Sequence, residues 1–249
     1  MTDEQALLLP DERIDDLQWM GLRIIQSPSA FRFGMDAVLL ADFAGAHDGL
    51  RICDLGTGTG ILPLLLYGRA QDILCDAVEI QPDAADRAGR TMRLNGLADR
   101  ITVHHRDLRE VRQFLPHAQY DLVICNPPYS PQDTSLPSPR AALRTARQEG
   151  ECTLQDVADA AQWLLCHHGR LVLMLPVVRL VDALNTLRAC RIEPKRLRLV
   201  HARVDRPARL ALIEGMRYAH PGLQVQPPLI TQNPDGTETD EIRRIYHAI

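Results

Sequence analysis

A glycine-rich loop that directly follows an apolar run is the feature that most constrains this chain. Residues 50–55 have the composition of a buried β-strand, and residues 56–60 follow them as Gly-Thr-Gly-Thr-Gly and open a helix. Glycines let the backbone turn sharply and approach a ligand closely, because they have no β-carbon. A strand, a glycine loop and a helix in this order predict a parallel sheet flanked by helices, with ligands at the carboxyl ends of its strands.

Further apolar runs alternate with amphipathic stretches along the chain and extend this prediction. The pattern predicts seven strands, at residues 50–55, 73–80, 101–105, 120–125, 170–177, 196–202 and 209–216. It predicts helices at residues 82–95, 154–168 and 179–190. We therefore expect an α/β, Rossmann-like fold with a seven-stranded, mostly parallel sheet, an antiparallel final strand and helices on both faces. Residues 49–249 would form this domain, and residues 1–48 an N-terminal extension packed on it.

The overall charge and the cysteine pattern argue against several classes of protein. A formal net charge of −4 disfavours a protein that coats nucleic acid, although it leaves room for a local basic surface. None of the six cysteines forms a Cys-x-x-Cys pair, so we expect neither a metal site nor a disulfide framework. No apolar run approaches the roughly 20 residues of a membrane span, and no signal-peptide pattern is present. We therefore expect a cytoplasmic protein with no membrane and no metal partner.

The spacing within the glycine loop indicates which kind of ligand it holds. Gly56, Gly58 and Gly60 form Gly-x-Gly-x-Gly, whereas the dinucleotide fingerprint requires Gly-x-Gly-x-x-Gly. Asp54 lies two residues before the first glycine, where a buried carboxylate would repel a pyrophosphate but suit the ammonium of an amino-acid ligand. The chain has no Gly-Lys-Ser/Thr motif for a nucleoside triphosphate. The alternative is a glycine-rich turn without a ligand.

Two further acidic residues lie at the ends of the next two predicted strands. Glu79 closes the second strand, where a carboxylate can accept both hydroxyls of a ribose. Asp107 follows the third strand and is placed to accept the amino group of adenine, although aspartate is also a common turn former. A ligand with an ammonium group, a ribose and an adenine fits S-adenosylmethionine. The predicted residues for binding this cofactor are Asp54, Gly56, Gly58, Gly60, Glu79 and Asp107.

The tetrapeptide Asn126-Pro127-Pro128-Tyr129 follows the fourth predicted strand and indicates the chemistry. An amine conjugated to a ring, or an amide nitrogen, is a poor nucleophile because its lone pair is delocalised. If the Asn126 side-chain oxygen and the Pro127 carbonyl each accept one N–H, the nitrogen becomes more tetrahedral and can attack a sulfonium methyl group. Tyr129 offers a flat face on which a flipped base can stack. The motif predicts methylation of a planar amine nitrogen, with Asn126, Pro127 and Tyr129 as catalytic residues; a proline-stiffened turn is the alternative.

Together these motifs resemble the class I S-adenosylmethionine-dependent amino-methyltransferases, and the flanking segments narrow the resemblance. Residues 11–17, 21–26, 33–40, 146–149, 230–236 and 241–246 are similar to bacterial tRNA(Val) (adenine-37-N6)-methyltransferases. That family modifies the purine just 3′ of the anticodon in valine tRNA. The resemblance implies the class I methyltransferase fold, methylation of adenine N6 in tRNA, and placement of Phe33 and Gly34 at the methionine end of the cofactor. Phe33 would otherwise be a packing residue at the start of a helix.

A local excess of arginine supplies candidate contacts to the tRNA. Residues 188–209 carry eight basic and two acidic side chains, a net charge of +6 within an acidic chain. In the expected topology, the turn in this segment lies at the ligand-binding edge of the sheet, where basic groups can hold phosphates. A second, smaller group follows the tetrapeptide, although a run of charges often forms only a solvated face. The predicted RNA-binding residues are Arg203, Arg206, Arg209, Arg140, Arg144 and Arg147.

Three other functions remain open at this point. Glutamine-amide methyltransferases that act on translation release factors share the Asn-Pro-Pro-Tyr motif. They usually carry a sizeable helical domain before the sheet, where this chain has about 49 residues. rRNA guanine-N2 methyltransferases usually have a duplicated or much longer chain. A cofactor-binding RNA chaperone without activity would not need an intact tetrapeptide.

Overall fold

The computed structural model describes residues 4–28, 34–127 and 152–247 of the protein. The strands in these ranges are β1 Arg13–Asp16, β2 Arg23–Gln26, β3 Arg51–Leu55, β4 Leu74–Glu79, β5 Ile101–His105, β6 Tyr120–Cys125, β7 Leu165–Pro176, β8 Ile192–His201, β9 Ala208–Arg217, β10 Gln224–Val225 and β11 Leu229–Ile230. The α-helices there are α1 Met35–Ala44, α2 Ile61–Arg69, α3 Pro82–Leu94, α4 Val111–Phe114, α5 Leu154–Leu164, α6 Leu180–Ala189 and α7 Asp240–His247. Short 3-10 helices span Gln5–Leu7, Leu108–Glu110 and Val177–Arg179.

All seven predicted strands belong to one sheet. Its strand order is β10-β8-β9-β7-β6-β3-β4-β5, and β11 also pairs with β8. Strands β3 to β7 are mutually parallel, whereas β9 runs antiparallel to both of its neighbours. The predicted α/β, Rossmann-like and mostly parallel fold is therefore confirmed. The short strands β10 and β11 extend the sheet beyond the seven predicted strands, because the chain after β9 returns along β8.

Helices cover both faces of the sheet and divide the hydrophobic core in two. Ile52 and Ile124 lie in one cluster with side chains of α1, α2, α3, α7 and the N-terminal strands. Cys53 and Val123, their neighbours in sequence, lie in a second cluster with α4, α5 and α6. This alternation follows from the two-residue period of a strand. A parallel sheet buried on both faces reads as continuous apolar runs, which is why these strands are visible in the sequence.

The register of the central strands brings two predicted site segments to the same edge of the sheet. Asp54 in β3 pairs with Ile124 in β6. Gly56 and Asn126 each follow by two residues, so the glycine loop and the tetrapeptide leave adjacent strands at the same level. The chain order reverses between β3 and β6, and such a switch point forms a crevice at the carboxyl ends of the strands.

The turn between β8 and β9 lies at this edge as well. Pro176, the last residue of β7, pairs with Leu210 near the start of the antiparallel β9. His201, the last residue of β8, pairs with Ala208. The end of β8, the start of β9 and the end of β7 are therefore side by side at the carboxyl edge.

The boundary between α5 and β7 differs from the prediction. The helix ends at Leu164 rather than at residue 168, and the strand begins at Leu165 rather than at residue 170. The register between β6 and β7 shifts just after Tyr120, and His168 has a left-handed backbone with φ of 63°. A β-carbon on Gly169 would lie 2.8 Å from the carbonyl oxygen of Tyr120, so this close approach requires glycine. The irregular pairing breaks the apolar pattern that reveals a strand start.

An N-terminal hairpin, β1 and β2, packs on α3. The N–H of Ile25 donates to the Thr91 hydroxyl at 3.2 Å. The side chain of Glu12 is fully buried and accepts hydrogen bonds from Arg90 and Arg87 of α3. These bonds, led by Arg90, lower the pKa of Glu12 to about 2. These buried ion pairs hold the segment that precedes β1 against α3. The division of the chain at residue 48 into an N-terminal extension and a domain stays a prediction.

Three general features of the described ranges bear on function. None of their helices is both long and apolar enough to cross a membrane. No group of three or more His, Cys, Asp or Glu side chains in those ranges is arranged to hold a metal ion. All six cysteines are free thiols.

Candidate active site

Backbone hydrogen bonds hold the glycine loop between β3 and α2 against the end of β4. The N–H groups of Gly56 and Thr57 donate to the carbonyl of Val78, at 2.9 and 3.0 Å. The three glycines have left-handed φ angles, 78° at Gly56, 58° at Gly58 and 83° at Gly60. A side chain with a β-carbon disfavours this region, so the loop requires glycine at these positions.

The three glycines differ in what surrounds them. A β-carbon on Gly60 would lie 2.6 Å from Met92 Cε and 3.3 Å from Ala88 Cβ, so Gly60 allows the loop to pack on α3. A β-carbon on Gly56 or Gly58 would meet no atom within 4 Å. Gly56 and Gly58 therefore border open space, which is what a ligand that lies against the backbone requires.

Asp54 is a buried carboxylate without a partner among the described residues. Its side chain is inaccessible to solvent, and neither of its oxygens accepts a hydrogen bond from that part of the chain. Burial raises the pKa of Asp54 to about 7; the nearby Thr57 hydroxyl opposes this rise, and the Glu79 carboxylate adds to it. A buried charge without a partner is costly, so Asp54 is suited to a ligand that brings a positive charge.

Glu79 connects the end of β4 to the glycine loop. Its Oε2 accepts the N–H of Gly58 at 2.8 Å, and its Oε1 accepts the N–H of Gln81 at 2.9 Å. The side chain is buried beside the loop. Each carboxylate oxygen can accept a second hydrogen bond, so capacity for two ribose hydroxyls remains. The ribose contact itself stays a prediction.

Asp107 lies at the end of the neighbouring strand β5, but its carboxylate is engaged locally. It caps the 3-10 helix Leu108–Glu110 by accepting the N–H of Arg109 at 2.9 Å. It also forms an ion pair with the Arg109 guanidinium at 2.5 Å, which lowers the pKa of Asp107. The turn-forming role is thus present, and an adenine contact would have to share the carboxylate with Arg109. That contact stays a prediction.

The tetrapeptide is only partly described. Asn126 and Pro127 are half-buried directly after β6. Adjacent strands in a sheet run about 4.8 Å apart, so Asn126 lies next to the glycine loop, one strand over. Pro128 and Tyr129 lie outside the described residues, and a stacking role for Tyr129 stays a prediction.

Gly34 caps the N-terminus of α1 and is exposed. At the other end of this helix, the carbonyl of Ala44 accepts a hydrogen bond from Arg170 at 3.0 Å, and Arg170 lies in the first half of β7. The N-terminus of α1 with Gly34 is therefore directed toward the carboxyl edge of the sheet. Phe33 lies outside the described residues, so its contact with a cofactor stays a prediction.

Arg203 and Arg206 lie in the turn between β8 and β9, and Arg209 is the second residue of β9. Arg203 pairs with Asp205 at 2.9 Å. Arg206 and Arg209 are exposed. These groups give the carboxyl edge a local positive charge. The other predicted RNA contacts, Arg140, Arg144 and Arg147, lie outside the described residues.

The charge count for residues 188–209 overstated this basic surface. Arg196 forms an ion pair with Glu214 at 2.7 Å, and Arg198 forms one with Glu241 at 2.6 Å. Both glutamates lie outside the counted segment, so a count along the sequence misses the neutralisation. The basic surface at the carboxyl edge is therefore smaller than predicted.

Comparison with known proteins places the chain in a family. The family model described as "Methyltransferase small domain" matches residues 34–149, which include the glycine loop and the tetrapeptide. A tRNA1(Val) (adenine(37)-N6)-methyltransferase from Tolumonas auensis is 39% identical over 182 residues, which are 70% of this chain and 74% of that protein. A protein of the same name from Parabacteroides distasonis is 33% identical and matches 74% of this chain and 76% of its own length. The chain belongs to the tRNA1(Val) (adenine(37)-N6)-methyltransferase family.

The fold of this methyltransferase also recurs among solved structures. A protein from Agrobacterium tumefaciens described as a predicted O-methyltransferase superposes with a TM-score of 0.70 at 22% identity. The match covers 86% of the methyltransferase chain and 96% of the other protein. At this identity the likeness supports the fold alone.

The sequence motif does not predict a role for Thr57, a buried polar residue of the glycine loop. Thr57 is buried, and its hydroxyl has no hydrogen-bond partner in the described part of the chain. Thr57 lies between two glycines of the motif, where the sequence indicates only a spacer. The Asp54 carboxylate in β3 and the nearby Thr57 hydroxyl in the loop both lack a hydrogen bond of normal length and angle to the described residues, as expected where a ligand completes the hydrogen bonding.

Proposed function

We propose that this methyltransferase transfers the methyl group of S-adenosylmethionine to N6 of an adenine in tRNA, at the position 3′ of the anticodon. The observation that carries the proposal is that Asn126 and Pro127 lie level with the glycine loop on the adjacent strand. The names of the relatives support the substrate, since both describe adenine 37 of tRNA1(Val). With tRNA as the substrate, the protein would act in the cytoplasm.

The residues at the carboxyl edge fit the proposed cofactor. Asp54 presents a buried, unpartnered carboxylate to an ammonium group, and Gly56 and Gly58 leave open space beside the backbone. Glu79 retains acceptor capacity for a ribose at the end of β4. When bound, S-adenosylmethionine supplies an electrophilic methyl group on a sulfonium sulfur. Gly34 at the start of α1 would border the methionine end, and Asp107 the adenine.

The acceptors for the substrate amine come from the segment after β6. The side-chain oxygen of Asn126 and the carbonyl of Pro127 would each accept one N–H of the adenine amino group. Proline has no N–H, so no backbone donor of Pro127 competes for these acceptors. Held between two acceptors, the nitrogen lone pair is directed away from the ring and toward the methyl group, and positioning supplies most of the catalysis. Tyr129 would stack on the flipped base.

The arginines of the β8–β9 turn would bind the phosphates around the target nucleotide. Arg203, Arg206 and Arg209 lie at the same edge as Asn126, separated from β6 by β7. Contacts of this kind orient the RNA without reading its sequence, and they make binding salt-dependent. We extend the proposal to Arg140, Arg144 and Arg147, which follow the tetrapeptide in sequence.

The substrate is tested by transfer of a tritiated methyl group to separate tRNA, rRNA and protein fractions, followed by nucleoside analysis of the labelled RNA. We expect label in tRNA as N6-methyladenosine. Label in protein alone would indicate glutamine-amide methylation. Label in rRNA as N2-methylguanosine would indicate an rRNA guanine-N2 methyltransferase. Either result would overturn the proposed substrate.

The chemistry is tested with Asn126→Ala. We expect turnover to fall about 1000-fold, the scale of losing a preorganised hydrogen-bonding group that acts on the reacting atom. Binding of S-adenosylhomocysteine should stay within twofold of wild type, because Asn126 contacts the amine and not the cofactor. Asn185→Ala, on the exposed side of α6, is the matched control. Near-wild-type turnover of Asn126→Ala would refute the proposed mechanism.

A further inference from the structure

Three exposed valines lie in two neighbouring segments of the chain. Val204 is 75% exposed, Val178 is 71% exposed and Val181 is 68% exposed. These are the three most exposed large apolar side chains of residues 4–28, 34–127 and 152–247. Single exposed apolar residues are common on protein surfaces, but a group of them beside a site marks a binding surface. We call Val178, Val181 and Val204 the valine edge.

The valine edge lies at the carboxyl edge of the sheet, on the side of β6 away from the glycine loop. Val178 is in the 3-10 helix that directly follows β7, and Val181 is in the first turn of α6. Val204 is in the turn between β8 and β9, whose ends pair beside the end of β7. β7 itself is hydrogen-bonded to β6, the strand that leads into Asn126. Val178 is therefore one strand from the segment that leads into Asn126, and Val204 lies at the same edge two to three strands from β6.

Both cationic and acidic side chains lie beside these valines in the sequence. Arg179 follows Val178, and Arg203 and Arg206 flank Val204 on either side. The acidic partners there are Asp182, 3.4 Å from Arg179, and Asp205, 2.9 Å from Arg203. Arg206 lies 4.0 Å from the same Asp205, and Arg209 is exposed, so around Val204 three arginines share one carboxylate among the described residues.

Apolar and cationic groups side by side match the chemistry of an unpaired RNA loop. Phosphates require the cations, while unstacked bases offer faces that an apolar side chain can cover. A base-paired stem offers phosphates but hides its base faces, so it would leave the valines uncovered. The observations therefore favour single-stranded RNA as the occupant.

We propose that the valine edge packs against the unpaired nucleotides that flank the target adenine and holds them while the adenine enters the acceptor site. The inference rests on the proposed function, because it assumes an RNA substrate. Val178 and Val204 are positioning residues in this scheme. They act on the loop and not on the amine.

The test is the double variant Val178→Ser/Val204→Ser, with Val225→Ser as the matched control. Val225 is 64% exposed on β10, the outermost strand, where it pairs with Leu197, four residues before the end of β8. Exposed substitutions of this kind change stability little, so all variants should fold. We expect KM for tRNA to rise roughly tenfold in the double variant, from lost burial of two valine side chains. The control should stay within twofold, and so should kcat and S-adenosylhomocysteine binding in both.

Salt dependence separates an apolar contact from an electrostatic one. The double valine variant should keep the wild-type slope of log KM against log salt, because it removes no phosphate contact. A double valine variant with the same KM as Val225→Ser would overturn the inference. Nucleoside analysis of the wild-type product is the separate check on the proposed function. If wild type forms no N6-methyladenosine in tRNA, the proposed function fails; if it does and KM is unmoved, only the valine edge fails.

Discussion

Replacing Asp54 by asparagine should stabilise the ligand-free protein at alkaline pH while abolishing cofactor binding. Asparagine has nearly the same shape as aspartate, so the change removes a charge and little else. The charge matters because the carboxylate is fully buried and has no hydrogen-bond partner among the described residues. The pKa of Asp54 is raised from 3.8 to about 7, chiefly by this burial.

The size of the effect follows from the two pKa values. An acid whose pKa is higher in the folded state loses stability as the pH rises from the unfolded value to the folded one, here from 3.8 to about 7. Each pKa unit corresponds to about 1.4 kcal/mol. Integrated from pH 5 to pH 8, this predicts that Asp54 lowers the free energy of unfolding of wild type by about 3 kcal/mol. The Asp54→Asn variant lacks this contribution.

The assay is urea denaturation of both proteins at pH 5 and pH 8, with and without S-adenosylhomocysteine. Relative to wild type, Asp54→Asn should gain about 3 kcal/mol on going from pH 5 to pH 8 without ligand. Ligand at 100 times its Kd should add about 2.7 kcal/mol to wild type and almost nothing to the variant. Asp99→Asn, which removes an exposed carboxylate, is the control. If the wild type and Asp54→Asn change stability in parallel between the two pH values, the account of Asp54 is refuted.

Other substitutions test the arm, the loop and the basic turn. Glu12→Gln should destabilise the protein by about 3 kcal/mol at pH 7, because the pKa of Glu12 is lowered from 4.5 to about 2. The stabilisation is complete above about pH 5 and disappears as the pH falls through 2, so thermal melts should converge there; a constant difference would contradict it. Gly58→Ala and Gly60→Ala should each cost about 1–2 kcal/mol, because both positions have a left-handed φ; Gly60→Ala should cost more because of its approach to Met92, and Gly58→Ala should also weaken cofactor binding in calorimetry. Arg203→Ala/Arg206→Ala should reduce the slope of log Kd against log salt for tRNA by about two phosphate contacts. An unchanged slope would show that neither arginine contacts the RNA.

The central sheet was predictable because its signals are local. The predicted limits of β5 and β6 agree with the structure to the residue, since β5 begins with three β-branched residues, β6 is largely apolar, and polar residues bound both strands. The N-terminal hairpin was not predicted, because Arg13–Asp16 reads Arg-Ile-Asp-Asp and has almost no apolar pattern. Its attachment comes from contacts far along the chain, such as Glu12 with Arg90. A pattern along the sequence does not contain such contacts.

The positions of site residues were predictable where a sequence motif determines the backbone. The hydrogen-bond and ion-pair partners of the side chains were less predictable, because several partners are available to each. Asp54 and Asn126 follow from strand ends and motif spacing, and both lie where the strand register brings them together. The sequence allows either an adenine contact or a turn-forming role for Asp107. In the structure its carboxylate accepts a hydrogen bond from Arg109, two residues later. Arg198 belongs to the basic segment of the sequence, but α7 places Glu241 beside it and the two side chains form an ion pair. Pairing of this kind depends on tertiary structure.

Strand β6, which leads into the proposed catalytic residue Asn126, is also the boundary between two halves of the sheet that come from different parts of the chain. The half with the proposed cofactor residues is built from β3, β4 and β5, and the half with the valine edge and the basic turn from β7, β8 and β9. A new methyl acceptor can therefore be selected by changes in the second half while the donor site stays untouched. Chimaeras of two such enzymes joined within β6 should keep the methyl donor of one parent and acquire the acceptor of the other.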